Sequence, residues 1–220
     1  RNYKFMINLR EDLLEITNRL LRAGLNHGAT GNCSCRDRDG FLITPTGVDS
    51  SNLTADMMVR MNFLDSTSQS ESKFQPSSEW QFHQAILEKY PEMNAVVHTH
   101  SVFASTLSVL GQDIPAFHYM IAIAGGDSIR CAPYAMFGTK ELSINILQAI
   151  HNRKACLLSN HGLVTMGRDL NEAYNIAEEV EHLARLFVEA KKIGKPKLLS
   201  KKEMDEVLSR FNSYGRQLKD

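Results

Sequence analysis

The sequence predicts a single α/β domain, and three observations predict it. Short β-rich runs alternate with amphipathic helical runs through most of the chain, and turn formers separate them. In addition, 220 residues with 43% hydrophobic and 23% charged side chains can bury one core without disulfide or metal staples. The 25 Lys and Arg balance the 25 Asp and Glu, which argues against disorder and against nucleic acid as the main partner. The longest apolar stretches, such as 119–124 and 155–158, fall far short of the roughly 20 residues that cross a bilayer, so no membrane span is expected.

The chain opens Arg1-Asn2-Tyr3 without a methionine, so residues are expected to precede it. The amphipathic segment that follows is unlike the apolar core of a signal peptide, and a cytoplasmic protein is expected. Cys33, Cys35, Cys131 and Cys156 fit neither a disulfide framework nor a zinc ribbon and are expected to be reduced, mostly buried thiols.

Apolar residues at Phe5, Leu9, Leu13, Ile16 and Leu20 mark one face of a first helix that stops near Gly24. Arg38-Asp39-Gly40 separates strand candidates Cys33 to Arg36 and Phe41 to Ile43, which predicts a hairpin. Pro45 lacks a backbone donor, so Thr44 to Gly47 is read as a loop before a strand at Met58 to Asn62, with a polar excursion from Asp65 to Ser72. Ser77-Ser78-Glu79 has helix-start chemistry ahead of Trp80, His83, Ile86, Leu87 and Tyr90. Strand Ala95 to His98, helix Val102 to Leu110, extended Ile129 to Ala132, helix Thr139 to Ile150 and strand Ala155 to Leu158 follow. Asp169 and Glu172 open a long helix with its apolar face through Leu170, Tyr174, Ala177, Val180, Ala184, Phe187 and Val188. The charge run Lys191 to Lys202 is read as a solvated helix end and linker, and a last helix covers Lys202 to Phe211.

Residues two apart on a strand point to the same side, so His98 and His100 aim two imidazoles at one spot. His161, just past the strand Ala155 to Leu158, is a third histidine that can converge there, and a carboxylate from Glu79 could complete a four-coordinate metal set. An H-x-H pair also occurs by chance, which leaves metal binding open on that motif alone. His83 is read as an ordinary position on an amphipathic helix, with a supporting role to the site as the alternative, and His118 as a hydrogen-bonded packing residue. Gly31-Asn32, Thr46-Gly47 and Ser77-Ser78 each offer backbone N–H groups and short polar side chains to an anion, although any one alone reads as a plain turn or helix cap.

Six segments in order, 28–32, 43–47, 76–80, 95–100, 114–119 and 160–163, resemble the class II aldolase/adducin family, and the resemblance runs from the first helix to Tyr214-Gly215. It implies one α/β domain over residues 1–220, a three-layer α/β/α fold with a mixed central sheet, whose C-terminal helix and tail, about 200–220, cover the site. It implies one zinc ion per subunit held by His98, His100 and His161, with Glu79 as a movable fourth ligand and proton-transfer group. Gly31, Asn32, Thr46, Gly47, Ser77 and Ser78 would hold a substrate phosphate. Tyr119 would reach the site of a neighbouring subunit in a homotetramer, and Tyr214 would fold over the substrate. The tail departs from the family's Tyr-Gly-x-Arg pattern, since Arg216 directly follows Gly215 and Gln217 takes the next place.

The implied reaction is retro-aldol cleavage of a ketose 1-phosphate to dihydroxyacetone phosphate and an aldehyde, and within the family the chain looks most like members that cleave L-fuculose 1-phosphate. Alternatives within the fold are L-rhamnulose or 5-deoxypentulose 1-phosphate cleavage, methylthioribulose-1-phosphate dehydration, pentulose-phosphate 4-epimerisation and a non-enzymatic adducin-like module. A two-histidine, one-carboxylate iron oxygenase would leave the third histidine and the anion turns unexplained.

Overall fold

A computed structural model of the chain describes residues 2–64 and 73–211, with side chains from Leu9 onward. Helix α1 (Asn2–Arg22) buries Leu13, Ile16 and Leu20, each contributing roughly 1.5–3 kcal/mol if fully withdrawn from water. The Phe5 side chain lies outside the described residues, as does the excursion at 65–72. The predicted hairpin forms as β1 (Asn32–Asp37) and β2 (Gly40–Ile43), with Arg36 opposite Phe41, and β3 (Val59–Asn62) pairs outside it. The chain continues through α2 (Trp80–Lys89), β4 (Ala95–Thr99), α3 (Val102–Val109), β5 (Arg130–Ala132), α4 (Lys140–Ala149), β6 (Ala155–Leu158), β7 (Gly162–Gly167), α5 (Leu170–Ile193) and α6 (Lys201–Phe211). The side chain of Asp169 accepts the N–H of Glu172 at 2.8 Å, as the helix-start pattern of α5 predicts.

The seven strands lie in the order β3-β2-β1-β4-β7-β6-β5, antiparallel except for the parallel β5–β6 pair, so the sheet is mixed. Strand alternation divides its side chains. Cys33, Cys35, Ala95, Val97, Ala155 and Leu157 share a core with α1, α3 and α5, whereas Val96, Cys156, Leu158, Val164 and Met166 share one with α2 and α4. This is the expected three-layer α/β/α fold. Cys33, Cys35 and Cys156 are free and buried and Cys131 is half-buried; burial pushes the Cys33 and Cys35 thiols up to about 12.

The structure adds a strand that the sequence pattern does not reveal. Strand β7 runs from Gly162 to Gly167, and a four-residue interior between two glycines reads as a short run between turns. Yet it sits between β4 and β6 and is wholly buried. The stretch Tyr119–Ala124 forms a 3-10 helix packed on α5 and α6, with His118 Nδ1 accepting the N–H of Met120 at its start. Among the described residues, no helix is long and apolar enough to cross a membrane.

Candidate functional site

Strand β4 carries His98 on the side facing α2, and His100 follows one residue past its end. The alternation holds as expected, and the two Nε2 atoms lie 3.0 Å apart. His161 sits in the turn of residues 159–161 that joins β6 to β7. Because β4 pairs with β7, with Thr99 opposite Leu163, that turn is folded against the end of β4. A Cβ on Gly162 would stand 2.3 Å from the Thr99 carbonyl and 3.3 Å from His100 Cδ2, so glycine is what allows this close approach. The donor nitrogens of His98, His100 and His161 all lie within 4.8 Å of one another. His98 Nδ1 lies 2.9 Å from the Leu163 carbonyl; a carbonyl only accepts, so Nδ1 carries the proton and the Nε2 lone pair faces the cluster. Burial lowers His100 to about 3 and His161 to about 4, and the two rings are therefore neutral.

Glu79 immediately precedes α2 but makes no side-chain cap, because its carboxylate turns into the histidine cluster. Oε2 lies 3.3 Å from His98 Nε2 and accepts a 2.9 Å bond from Asn32 Nδ2, and Oε1 lies 3.2 Å from His161 Nε2. Burial alone would raise its pKa. Its close contacts with the His98 and His161 rings, with the hydrogen bond from Asn32, outweigh burial and hold the carboxyl well below the usual carboxylate range. Oε1 is nonetheless buried without a hydrogen-bond partner. An ionised carboxylate with an orphaned oxygen, facing three clustered imidazoles, is a donor set that fits a divalent cation.

A cavity of about 350 Å³ opens beside this cluster, and the three anion-type turns all line it. They come together because Pro45 bridges Pro76, Thr46 N–H donates to the Gln75 carbonyl, Ser77 N–H donates to the Thr44 carbonyl, and Thr44 N–H donates to the carbonyl of Cys33, next to Asn32. The N–H groups of Gly47 and Ser78 have no acceptor among the described residues, which suits them to an incoming anion. Gly31 has φ +70°, and a Cβ there would stand 2.3 Å from the Asn26 side chain. Asn26 in turn accepts the His100 N–H at 3.1 Å.

Of the residues singled out in the sequence, Gly31, Asn32, Thr46, Gly47, Ser77, Ser78, Glu79, His100 and His161 line the cavity, and His98 lies fully buried behind it. Tyr119 is half exposed and is not among the lining residues of its own chain's cavity. Tyr214, with Arg216 and Gln217, lies outside the described residues. Sequence reasoning missed Asn26; it set the 119–137 region against the substrate's aldehyde portion without naming Tyr134, Ala135 and Phe137, which with Asn160 form a wall of the cavity. An aromatic-rich loop with exposed Tyr134 and Phe137 was the available signal. Of the two readings of His83, the structure favours the supporting one over the ordinary helix position. This ring is fully buried and hydrogen-bonded to both Ser34 and Asn32, and burial lowers it to about 3, so it is neutral.

A profile of the family described as Class II Aldolase and Adducin N-terminal domain matches residues 11–188. The chain is 46% identical over 209 residues to a 5-methylthioribulose-1-phosphate/5-deoxyribulose-1-phosphate aldolase of Rhodospirillum rubrum, covering 95% of this chain and 93% of that protein. It is 45% identical over 213 residues to an L-fuculose phosphate aldolase of Escherichia coli, covering 96% and 98%. A solved structure of an L-fuculose 1-phosphate aldolase superposes with a TM-score of 0.89 at 35% identity, covering 93% of this chain and 96% of that one.

Proposed function

Because this chain belongs to the class II aldolase and adducin family and is an enzyme of the aldehyde-lyase type, we propose that it cleaves a ketose 1-phosphate, L-fuculose 1-phosphate first, to dihydroxyacetone phosphate and L-lactaldehyde. One observation carries this reading: three histidines and an ionised glutamate converge beside a cavity lined by three anion-type turns. His98, His100, His161 and Glu79 would hold one zinc ion per subunit, which suits a nitrogen-rich, neutral-imidazole set with one carboxylate. When bound, such an ion supplies Lewis-acid stabilisation of the negative charge that cleavage leaves on the substrate's oxygens.

The chain's own groups supply the rest. Gly31, Asn32, Thr46, Gly47, Ser77 and Ser78 seat the phosphate, which orients the sugar so that its first carbons lie beside Glu79. Glu79 delivers the proton to the carbon that cleavage leaves carbanionic. Tyr119, half exposed and outside its own cavity, takes the hydroxyl proton at the site of a neighbouring subunit in a homotetramer. Tyr214 closes over the bound sugar from the tail. Light scattering on active protein should return a four-chain mass, and an active monomer would remove the shared site.

A second substrate reading has its own support, the 46% identity to the methylthioribulose/deoxyribulose enzyme. Both substrate types end in a methyl or methylthio group, for which Tyr134 and Phe137 provide an apolar wall. Comparing kcat/KM for L-fuculose 1-phosphate, 5-deoxyribulose 1-phosphate and unphosphorylated L-fuculose tests the assignment. L-Fuculose 1-phosphate should lead. Charge-assisted bonds contribute about 1.5–3 kcal/mol each, so removing the phosphate should cost on the order of 10²-fold or more. A lead for 5-deoxyribulose 1-phosphate would select the second substrate, and equal turnover without phosphate would remove the anion site.

A further inference from the structure

We infer that His83 is a positioning residue, which acts through the side-chain amide of Asn32 to set the hydrogen-bond donor shared by Glu79 and the substrate phosphate. The inference rests on the roles proposed above for Glu79 and Asn32. It is carried by a buried chain of three hydrogen bonds: Ser34 Oγ to His83 Nδ1 at 2.7 Å, His83 Nε2 to Asn32 Oδ1 at 2.6 Å, and Asn32 Nδ2 to Glu79 Oε2 at 2.9 Å. His83 and Ser34 are fully buried, and Phe82 stacks on the His83 ring at 4.5 Å between centroids.

The direction of every bond follows from the carboxylate. Ionised Glu79 only accepts, so Asn32 must present its NH2 group there and turn its carbonyl to His83. His83 must then carry its proton on Nε2, and Nδ1 must accept the Ser34 hydroxyl. Antiparallel pairing explains why these residues meet, because Asn32 and Ser34 point from β1 to the α2 side, and His83 is one turn into that helix from Glu79. One Asn32 N–H is spent on Glu79, which leaves the second for an anion in the cavity that Asn32 lines. An asparagine amide alone rotates broadly about its last torsion. The Nε2–H of His83 removes that freedom and so fixes both N–H directions at once.

Two measurements test this independently. Long-range proton–nitrogen NMR of the wild-type protein, assigned with a His83→Gln sample, should show His83 as the neutral Nε2–H tautomer; an Nδ1–H tautomer would overturn the inference. In kinetics, His83→Leu should lower kcat/KM for the ketose 1-phosphate and weaken inorganic phosphate binding by calorimetry, each by roughly 10–100-fold, the usual effect of losing a partner one layer behind the reacting groups. His83→Gln, which can still donate to Asn32, should recover most of that loss. The double variant Asn32→Ala/His83→Leu should be no worse than Asn32→Ala alone, because His83 acts only through Asn32. Losses that multiply, or failure of His83→Gln to recover phosphate binding, would show a separate packing role and overturn the inference. If His83→Leu does not fold, the tautomer and the His83→Gln and Asn32→Ala variants still decide it. A wild-type protein that cleaves no ketose 1-phosphate would defeat the proposed function, while the tautomer and phosphate titrations would still judge the hydrogen-bond chain.

Discussion

His98→Ala should leave the chain without stoichiometric metal and without measurable cleavage. His98 is fully buried at the end of a central strand, and its Nε2 faces both His100 and Glu79. In the proposed ligand set removing it deletes a direct ligand, which should cost more than the roughly 10–100-fold in metal affinity that loss of an outer partner costs. It also leaves the Leu163 carbonyl without its side-chain donor in the interior, a penalty of about 1–3 kcal/mol, so unfolding should be monitored beside metal content. His161→Ala gives the cleaner comparison, because that residue lies in a turn and is only partly buried. Both variants should lose metal on dialysis, whereas the wild type should keep about one ion per chain. Stoichiometric metal in folded His98→Ala would remove these residues as the ligand set.

Glu79→Gln should separate the proton transfer proposed for Glu79 from metal binding. Glutamine keeps the size and one oxygen ligand but cannot carry a proton at that atom. Wild-type protein should exchange a hydroxymethylene proton of dihydroxyacetone phosphate with solvent deuterium when no aldehyde is present. Glu79→Gln should lose this exchange and overall turnover by on the order of 10²-fold or more while retaining metal. The charge change has a second effect, because Asn32 would then donate to a neutral amide instead of a carboxylate. Exchange at the wild-type rate in Glu79→Gln would assign the proton to another group.

Much of the site could be read from residue spacing, because its pieces obey local rules. His98 and His100 share a side by strand alternation, and Ser77-Ser78-Glu79 marks the start of α2. The hairpin of β1 and β2 was legible for the same reason, a turn between two β-rich runs. Tertiary pairing decided what was not legible. Strand β7 owes its place to β4 on one side and β6 on the other, which no four-residue run between glycines discloses. His83 repeats like any helical position, and only the packing of α2 on β1 buries it against Ser34 and Asn32. Asn26 looks like a turn residue beyond the first helix until its carbonyl oxygen is seen accepting the His100 N–H. The convergence of three turns separated along the chain, two of them joined by the Pro45–Pro76 bridge, is likewise a property of the fold.

The most direct test of the central claim is to identify the products when metal-loaded wild-type protein meets L-fuculose 1-phosphate, followed by NMR. Cleavage at the carbon–carbon bond predicts dihydroxyacetone phosphate and L-lactaldehyde in equal amounts, with no signal when a chelator has removed the metal. An epimerised or dehydrated sugar phosphate, formed with the metal in place and no dihydroxyacetone phosphate released, would contradict the account.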